Sequence, residues 1–149
     1  MAAAAMTFQV IIDELLHATG ASRTTLRLEE PGGDFPVVAE ALAPGIRSIK
    51  GGARIPVRNS ATFTFFERER RILVVNDCRT SDPPTPQDLM DFYGVRAEIL
   101  APLMDGGRIV GIVSVHHAPG PREWTEVEIE ALTRASARIL GELKGIVGR

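Results

Sequence analysis

Residues 95–129 constrain this chain most, because two apolar, β-prone runs lead there into a helix whose first turn is written out residue by residue. The runs from Val95 to Met104 and from Arg108 to His117 meet across Asp105-Gly106-Gly107, and such pairs supply the positive φ that a tight hairpin turn needs. After the Pro119-Gly120-Pro121 break comes Trp124-Thr125-Glu126-Val127-Glu128-Ile129. Thr125 and Glu128 have the spacing of a capping box, while Trp124 and Ile129 stand where a hydrophobic staple closes over a helix start. Downstream, Leu132, Ser136, Ile139, Leu140, Leu143 and Ile146 fall on one stripe, predicting an amphipathic helix of about six turns. A hairpin and a helix that share a core imply an α+β fold.

The preceding chain supplies more of both layers. Phe8, Ile11, Ile12 and Leu15 recur at helical spacing over Thr7 to Thr19, and Gly20 stands at the C-cap. Met1 to Ala5 has no charged flank or long apolar centre and does not read as a signal peptide; it either extends this helix or frays. Ser22 to Glu29 alternates with period two, and Pro31-Gly32-Gly33-Asp34 turns it into a second strand from Phe35 to about Leu42. Ala43 to Asn59 holds too many glycines and prolines for a regular element and is a long loop. Asn59 or Ser60 caps a short helix to about Arg70, despite the β-prone Thr62-Phe63-Thr64-Phe65-Phe66. A strand from Ile72 to Val75, a proline-rich loop from Cys78 to Pro86 and a helix from Gln87 to Tyr93 complete the plan. No repeat interrupts it, so residues 1–149 are expected to form a single domain.

Seventeen basic and nineteen acidic residues are scattered along the 149-residue chain, so the electrostatic footprint of a nucleic-acid binder is missing. Cys78 is the sole cysteine, which excludes an intrachain disulfide, and no apolar run approaches the roughly 20 residues that span a bilayer. A cytoplasmic location is the corresponding expectation, with neither nucleic acid nor membrane as partner.

Strand alternation assigns two unlike faces. Leu26, Leu28, Ala97, Ile99, Ala101, Val113 and Val115 form an apolar face suited to the first and last helices. Thr25, Arg27, Arg96, Glu98, Ser114 and His116 share the opposite face with Leu100 and Ile112. That polarity fits either a wetted sheet or a cavity beneath the segment from Ala43 to Tyr93. The cavity is the economical reading, because that segment must cover something.

The order of these elements resembles the GAF domain, a family of ligand-binding sensory domains. The likeness is carried by Gly94-Val95-Arg96-Ala97-Glu98-Ile99-Leu100-Ala101-Pro102-Leu103, by Gly106-Gly107-Arg108-Ile109-Val110-Gly111-Ile112-Val113-Ser114-Val115, and by Trp124-Thr125-Glu126. Ile72-Leu73-Val74-Val75-Asn76-Asp77 is similar to the family's third strand and following loop. The resemblance implies an antiparallel sheet of order 2-1-5-4-3, terminal helices on one face, a ligand pocket on the other, and dimerisation through those helices. It also implies a non-catalytic sensory module, acting on its own dimer or on a separate signalling protein. A GAF fold kept only as a dimerisation or docking scaffold is the alternative. His116-His117 is similar to the paired histidines of phytochrome-type members, but no chromophore motif surrounds Cys78, so neither covalent bilin nor haem is expected.

The candidate ligand-binding set is Arg27, Phe65, Asn76, Asp77, Arg96, Glu98, Ser114 and His116, for a small anionic or polar ligand. An inward guanidinium needs an anion or a carboxylate, so Arg27 and Arg96 either bind ligand or pair internally, for Arg96 with Glu98. Asn76 and Asp77 either contact ligand or only end a strand. His116 and His117 point to opposite faces and do not chelate one ion, so no metal site is expected. His17 is a helix-terminal histidine, and Glu67-Arg68-Glu69-Arg70-Arg71 a solvated charge run. The sequence holds no Ser-His-acid order, phosphate loop or His-Glu metal signature, which argues against catalysis. A thiol redox role would rest on Cys78 alone, without a resolving partner in the chain.

Overall fold

A computed structural model describes residues 2–31, 33–51 and 57–147, with the side chains of residues 2, 146 and 147 left aside. Gly32, Gly52 and Pro56, expected in turns and loop, and the Ile146 side chain, expected on the last helical stripe, lie outside that description. Helix α1 (Ala2–Thr19) takes in the alanine run and ends where Gly20, at φ 59°, donates to the Leu16 carbonyl. Strands β1 (Arg23–Leu28) and β2 (Val37–Leu42) follow. Next come α2 (Ala61–Glu69), β3 (Leu73–Val75) and α3 (Gln87–Asp91), then β4 (Ala97–Asp105), β5 (Arg108–His117) and α4 (Glu126–Val147). The strands form one antiparallel sheet in the order β2-β1-β5-β4-β3, the order that the family resemblance implies.

Where the elements differ from expectation, local geometry gives the reason. β2 starts two residues after Phe35, because its register with β1 slips between Leu26 and Arg27. The Arg27 guanidinium takes the freed Phe35 carbonyl at 2.8 Å, and the Phe35 ring turns inward to lie 5.6 Å from Phe63. In α2 the β-prone run is overridden by its cap and its packing. Ser60 Oγ accepts from the Phe63 N–H, and Phe63 and Phe66, one turn apart, are both buried. β4 begins at Ala97 because the left-handed Gly94 (φ 70°) delays entry into the pleat.

The opening of α4 forms as its sequence demands. Glu128 N–H donates to Thr125 Oγ1 at 3.3 Å, and Thr125 N–H donates to Glu128 Oε1 at 2.9 Å. Trp124 anchors this end to β3 by donating its indole N–H to the Val75 carbonyl at 3.0 Å. Ala135 belongs to the buried stripe with Leu132 and Ile139, although its small side chain did not mark it in the sequence.

The sheet therefore separates two apolar layers. On one face, Leu26, Ile99, Val113 and Val115 meet Phe8, Ile11, Ile12 and Leu15 of α1 and Leu132 and Ile139 of α4. On the other, Leu100, Ile109 and Ile112 are covered by Phe35, Ile49, Phe63, Phe66 and Leu89. Burying a side chain the size of Phe66 contributes about 2–3 kcal/mol, so this second layer is a core in its own right. Its extent exceeds the mixed polar face that strand alternation suggested. The aromatic residues that fill it come from the covering segment and not from the strands.

Candidate functional site

Within that second layer lies a cavity of about 40 Å³, whose polar lining consists of Arg27, Ser60, Thr62, Glu98, Ser114 and His116. Leu89, Leu100 and Ile112 close its apolar side. The ladder register builds the polar floor directly. Arg23 stands opposite His116 and Thr25 opposite Ser114, while His116 in turn faces Glu98 on β4. Since alternate residues share a face, Arg23, Thr25 and Arg27 form one row, Ser114 and His116 the next, and Glu98 the third.

Arg23, fully buried, is the anchor of this floor and was missed in the sequence. Extending the Thr25, Arg27 alternation back by two positions would have found it. Its guanidinium donates to the Arg47 carbonyl and to His116 Nδ1 at 3.1 Å, and lies 4.0 Å from the Glu40 carboxylate. A guanidinium has only donors, so His116 Nδ1 must accept and the ring carries its one proton on Nε2. Burial, followed by the positive charges of Arg23 and Arg27, holds His116 well below the usual histidine range.

His116 Nε2 approaches Glu98 Oε1 at 3.5 Å. Distance alone would suggest an ion pair, but a neutral imidazole cannot form one. Burial pushes the Glu98 carboxyl up to about 7, against the opposing hydrogen bond from Thr85. Among the described residues, Oε1 is buried without a hydrogen-bond partner, as are Thr25 Oγ1 and Tyr93 Oη. Orphaned buried polar atoms are costly, about 1–3 kcal/mol each, and mark where a water or ligand group belongs.

Arg27 reaches the same cavity with one N–H committed to Phe35. Among the described residues no carboxylate lies within ion-pair distance of it; Glu40 acts on it only at longer range. Four of the candidate residues, Arg27, Glu98, Ser114 and His116, are thus brought together.

The other four stand elsewhere. Phe65 is half-buried at the margin of the second layer, its ring edge-on to Phe66 and beneath Arg71, because adjacent helical residues are rotated about 100° apart. Asn76 accepts the Trp124 N–H through its side chain and the Arg122 N–H through its carbonyl, tying β3 to α4. Asp77 Oδ1 accepts the Arg79 N–H, a local turn. Arg96 precedes the regular pleat, so the two-residue spacing from Glu98 does not aim the two side chains together. No ion pair joins Arg96 to Glu98 among the described residues; the contact of Glu98 is His116.

Cys78 is buried beside this site, and its amide donates to the Arg96 carbonyl at 2.8 Å. Burial and then the nearby Glu98 push its thiol up to about 12, which leaves negligible thiolate near neutral pH. Among the described residues no group of three histidines, cysteines or carboxylates could hold a metal ion. No helix there is long and apolar enough to cross a membrane.

A five-stranded antiparallel sheet with terminal helices on one face and a covered polar cavity on the other defines a layered α+β domain. The chain belongs to the GAF domain family, whose model matches residues 4–143, and whose members are sensory ligand-binding modules. An uncharacterized protein of Picosynechococcus sp. is 27% identical over 109 residues, 72% of this chain and 67% of that protein. The blue-light-absorbing form of the Thermosynechococcus elongatus PixJ GAF domain superposes with a TM-score of 0.78 at 20% identity, covering 97% of this chain and 89% of that one. The phycocyanobilin-bound GAF domain of a cyanobacterial phytochrome gives 0.77 at 17% identity, covering 94% and 84%. At such identities the likeness establishes the fold.

The residues present do not fit a covalently held bilin. Pockets for ligands of drug size run to roughly 300–1,000 Å³, whereas about 40 Å³ is open here. The sole thiol is also buried and protonated.

Proposed function

We propose that this GAF domain is a non-catalytic sensor of a compact polar or anionic molecule held between Arg27, Ser114, His116 and Glu98. The reading is carried by one observation, a cavity bordered by a guanidinium without a carboxylate partner and by a buried carboxyl oxygen without a hydrogen-bond partner among the described residues. Occupancy would pass to the terminal helices, because Val113 and Val115 of β5 contact that layer while Ser114 and His116 face the cavity. A homodimer built on α1 and α4, a separate signalling partner and a cytoplasmic setting complete the proposal.

Native mass spectrometry of freshly purified protein tests it. A small copurifying molecule is expected, with retention abolished by Ser114→Leu, which fills the cavity. Retention that survives this substitution would move the site elsewhere. The small volume favours a second reading, a GAF fold retained as a dimerisation scaffold. In that case no small molecule is retained, while light scattering still reports a dimer.

A further inference from the structure

We propose that the ligand is a short carboxylate gripped by the Arg27 guanidinium, and that Glu98 must be protonated to hold it, donating its carboxyl O–H to the bound anion. The proposal rests on the sensory-cavity reading above and specifies both the ligand class and a proton requirement.

Charge decides the class. The groups that face Glu98 are His116 from β5, Arg23 and Arg27 from β1 beyond it, and Cys78 and Thr85 from the loop after β3, while Tyr93 after α3 packs its ring beneath Arg23. Asp77 and Arg96 flank that loop and the start of β4. His116 is neutral, since its Nδ1 accepts from Arg23. Arg23 is balanced by Glu40, which leaves Arg27, among the described residues, as a cation at the cavity without a matching anion. An ionised Glu98 would repel a bound anion from the far side of the same floor. A protonated Glu98 offers it a donor, as neutral carboxylic acids do in other water-poor sites.

Shape agrees with charge. The free edge of a guanidinium matches the two oxygens of a carboxylate. A cavity of about 40 Å³ holds on the order of three or four non-hydrogen atoms if each takes the ~10–15 Å³ that one water needs. Formate and acetate are of that size. Ser114, mid-floor between Thr25 and Leu100, supplies a further hydroxyl.

Isothermal titration calorimetry of the full chain with sodium formate and sodium acetate, from about pH 5.5 to pH 8.5, tests this. Both probes stay ionised throughout. Affinity should be level at the acid end and then weaken toward tenfold per pH unit above about 7, the limit for one linked proton. Glu98→Gln, which keeps a donor without a titrating proton, should bind with a flat pH profile. Arg27→Gln should weaken binding at least tenfold at every pH while circular dichroism shows the fold intact.

Affinity that rises with pH, or a wild-type profile that is flat, overturns the proposal. A slope that persists in Glu98→Gln also overturns it, by placing the proton on His116. If neither carboxylate binds but native mass spectrometry finds another small molecule, the carboxylate class fails and the sensory reading stands. If nothing binds and nothing copurifies, both fail.

Discussion

Replacing Gly111 with alanine should destabilise the domain by about 3 kcal/mol, because the position has no room for one more carbon. Gly111 lies within β5, opposite Leu28 on β1 and Leu103 on β4. A Cβ there would stand 2.7 Å from the Arg27 carbonyl oxygen, 2.8 Å from Leu103 Cδ1 and 3.0 Å from Leu28 Cδ2. The leucine methyl groups could rotate aside, but the carbonyl belongs to a strand held by neighbours on both sides. β1 and β5 must therefore separate by several tenths of an ångström. Overpacking of a well-filled site costs about 1–3 kcal/mol, and a backbone obstacle puts this case at the upper end. For a chain of this length the melting temperature should fall by roughly 6–12 °C. Urea and thermal unfolding followed by circular dichroism would measure both quantities. Gly141→Ala in α4 is the control: it meets nothing within 4 Å and is exposed, so it should add about 0.5–1 kcal/mol. A Gly111→Ala protein within about 0.5 kcal/mol of the wild type would refute the steric reasoning.

Three further outcomes follow from the same geometry. Thr125→Ala removes the hydroxyl that caps the Glu128 N–H and should cost about 1 kcal/mol in urea unfolding; no change would mean that the remaining Glu128 bond to the Thr125 amide suffices. Cys78, buried and pushed up to about 12, should resist iodoacetamide at pH 8 until the protein is unfolded, and rapid native alkylation would contradict its burial. Glu98 is held at about 7 in the fold against about 4.3 in the unfolded chain. Below about pH 4 both states are protonated; between about 4.3 and 7 only the unfolded chain ionises, so wild-type stability falls as pH rises and levels off above 7. Glu98→Gln should accordingly gain on the wild type across that window, reaching on the order of 3 kcal/mol near neutral pH, and a difference independent of pH would be evidence against it.

The elements were legible because each carries its own local signal, while their order in the sheet was implied by the family resemblance. The Thr125 and Glu128 cap, the Gly106-Gly107 turn and the alternation around Leu26 depend only on near neighbours, and all three appear where expected. The site was legible to the extent that period two holds. Arg27, Glu98, Ser114 and His116 lie within regular strands and converge, whereas Asn76, Asp77 and Arg96 sit at strand ends where alternation no longer fixes direction. Phe65 stands apart from the cavity for a different reason: in an aromatic cluster on a helix, rotation decides which rings are fully buried, and spacing favours Phe63 with Phe66. The size of the cavity could not be read at all. It depends on how far Val57, Thr62, Pro86 and Leu89 reach down from segments distant in sequence.

The thinness of the wall between the two layers bears on signalling. Along β5, Val113 and Val115 touch the layer of α1 and α4, while Ile112, Ser114 and His116 face the cavity side. A strand cannot re-aim one set without moving the other, since consecutive side chains share a single pleated backbone. Interiors are close-packed, so even a small shift of β5 must be absorbed by Ile12, Leu132 and Ile139. The floor is also tied outward, because Arg23 joins His116 to the Arg47 carbonyl of the covering loop. A molecule that changes the hydrogen bonds of His116 or Glu98 therefore acts on the cover and the helices at once. The two responses should appear together: protection of the amides of residues 43–51 against hydrogen exchange on ligand addition, with a matching change in α4. A change confined to the loop would show that β5 does not carry the coupling.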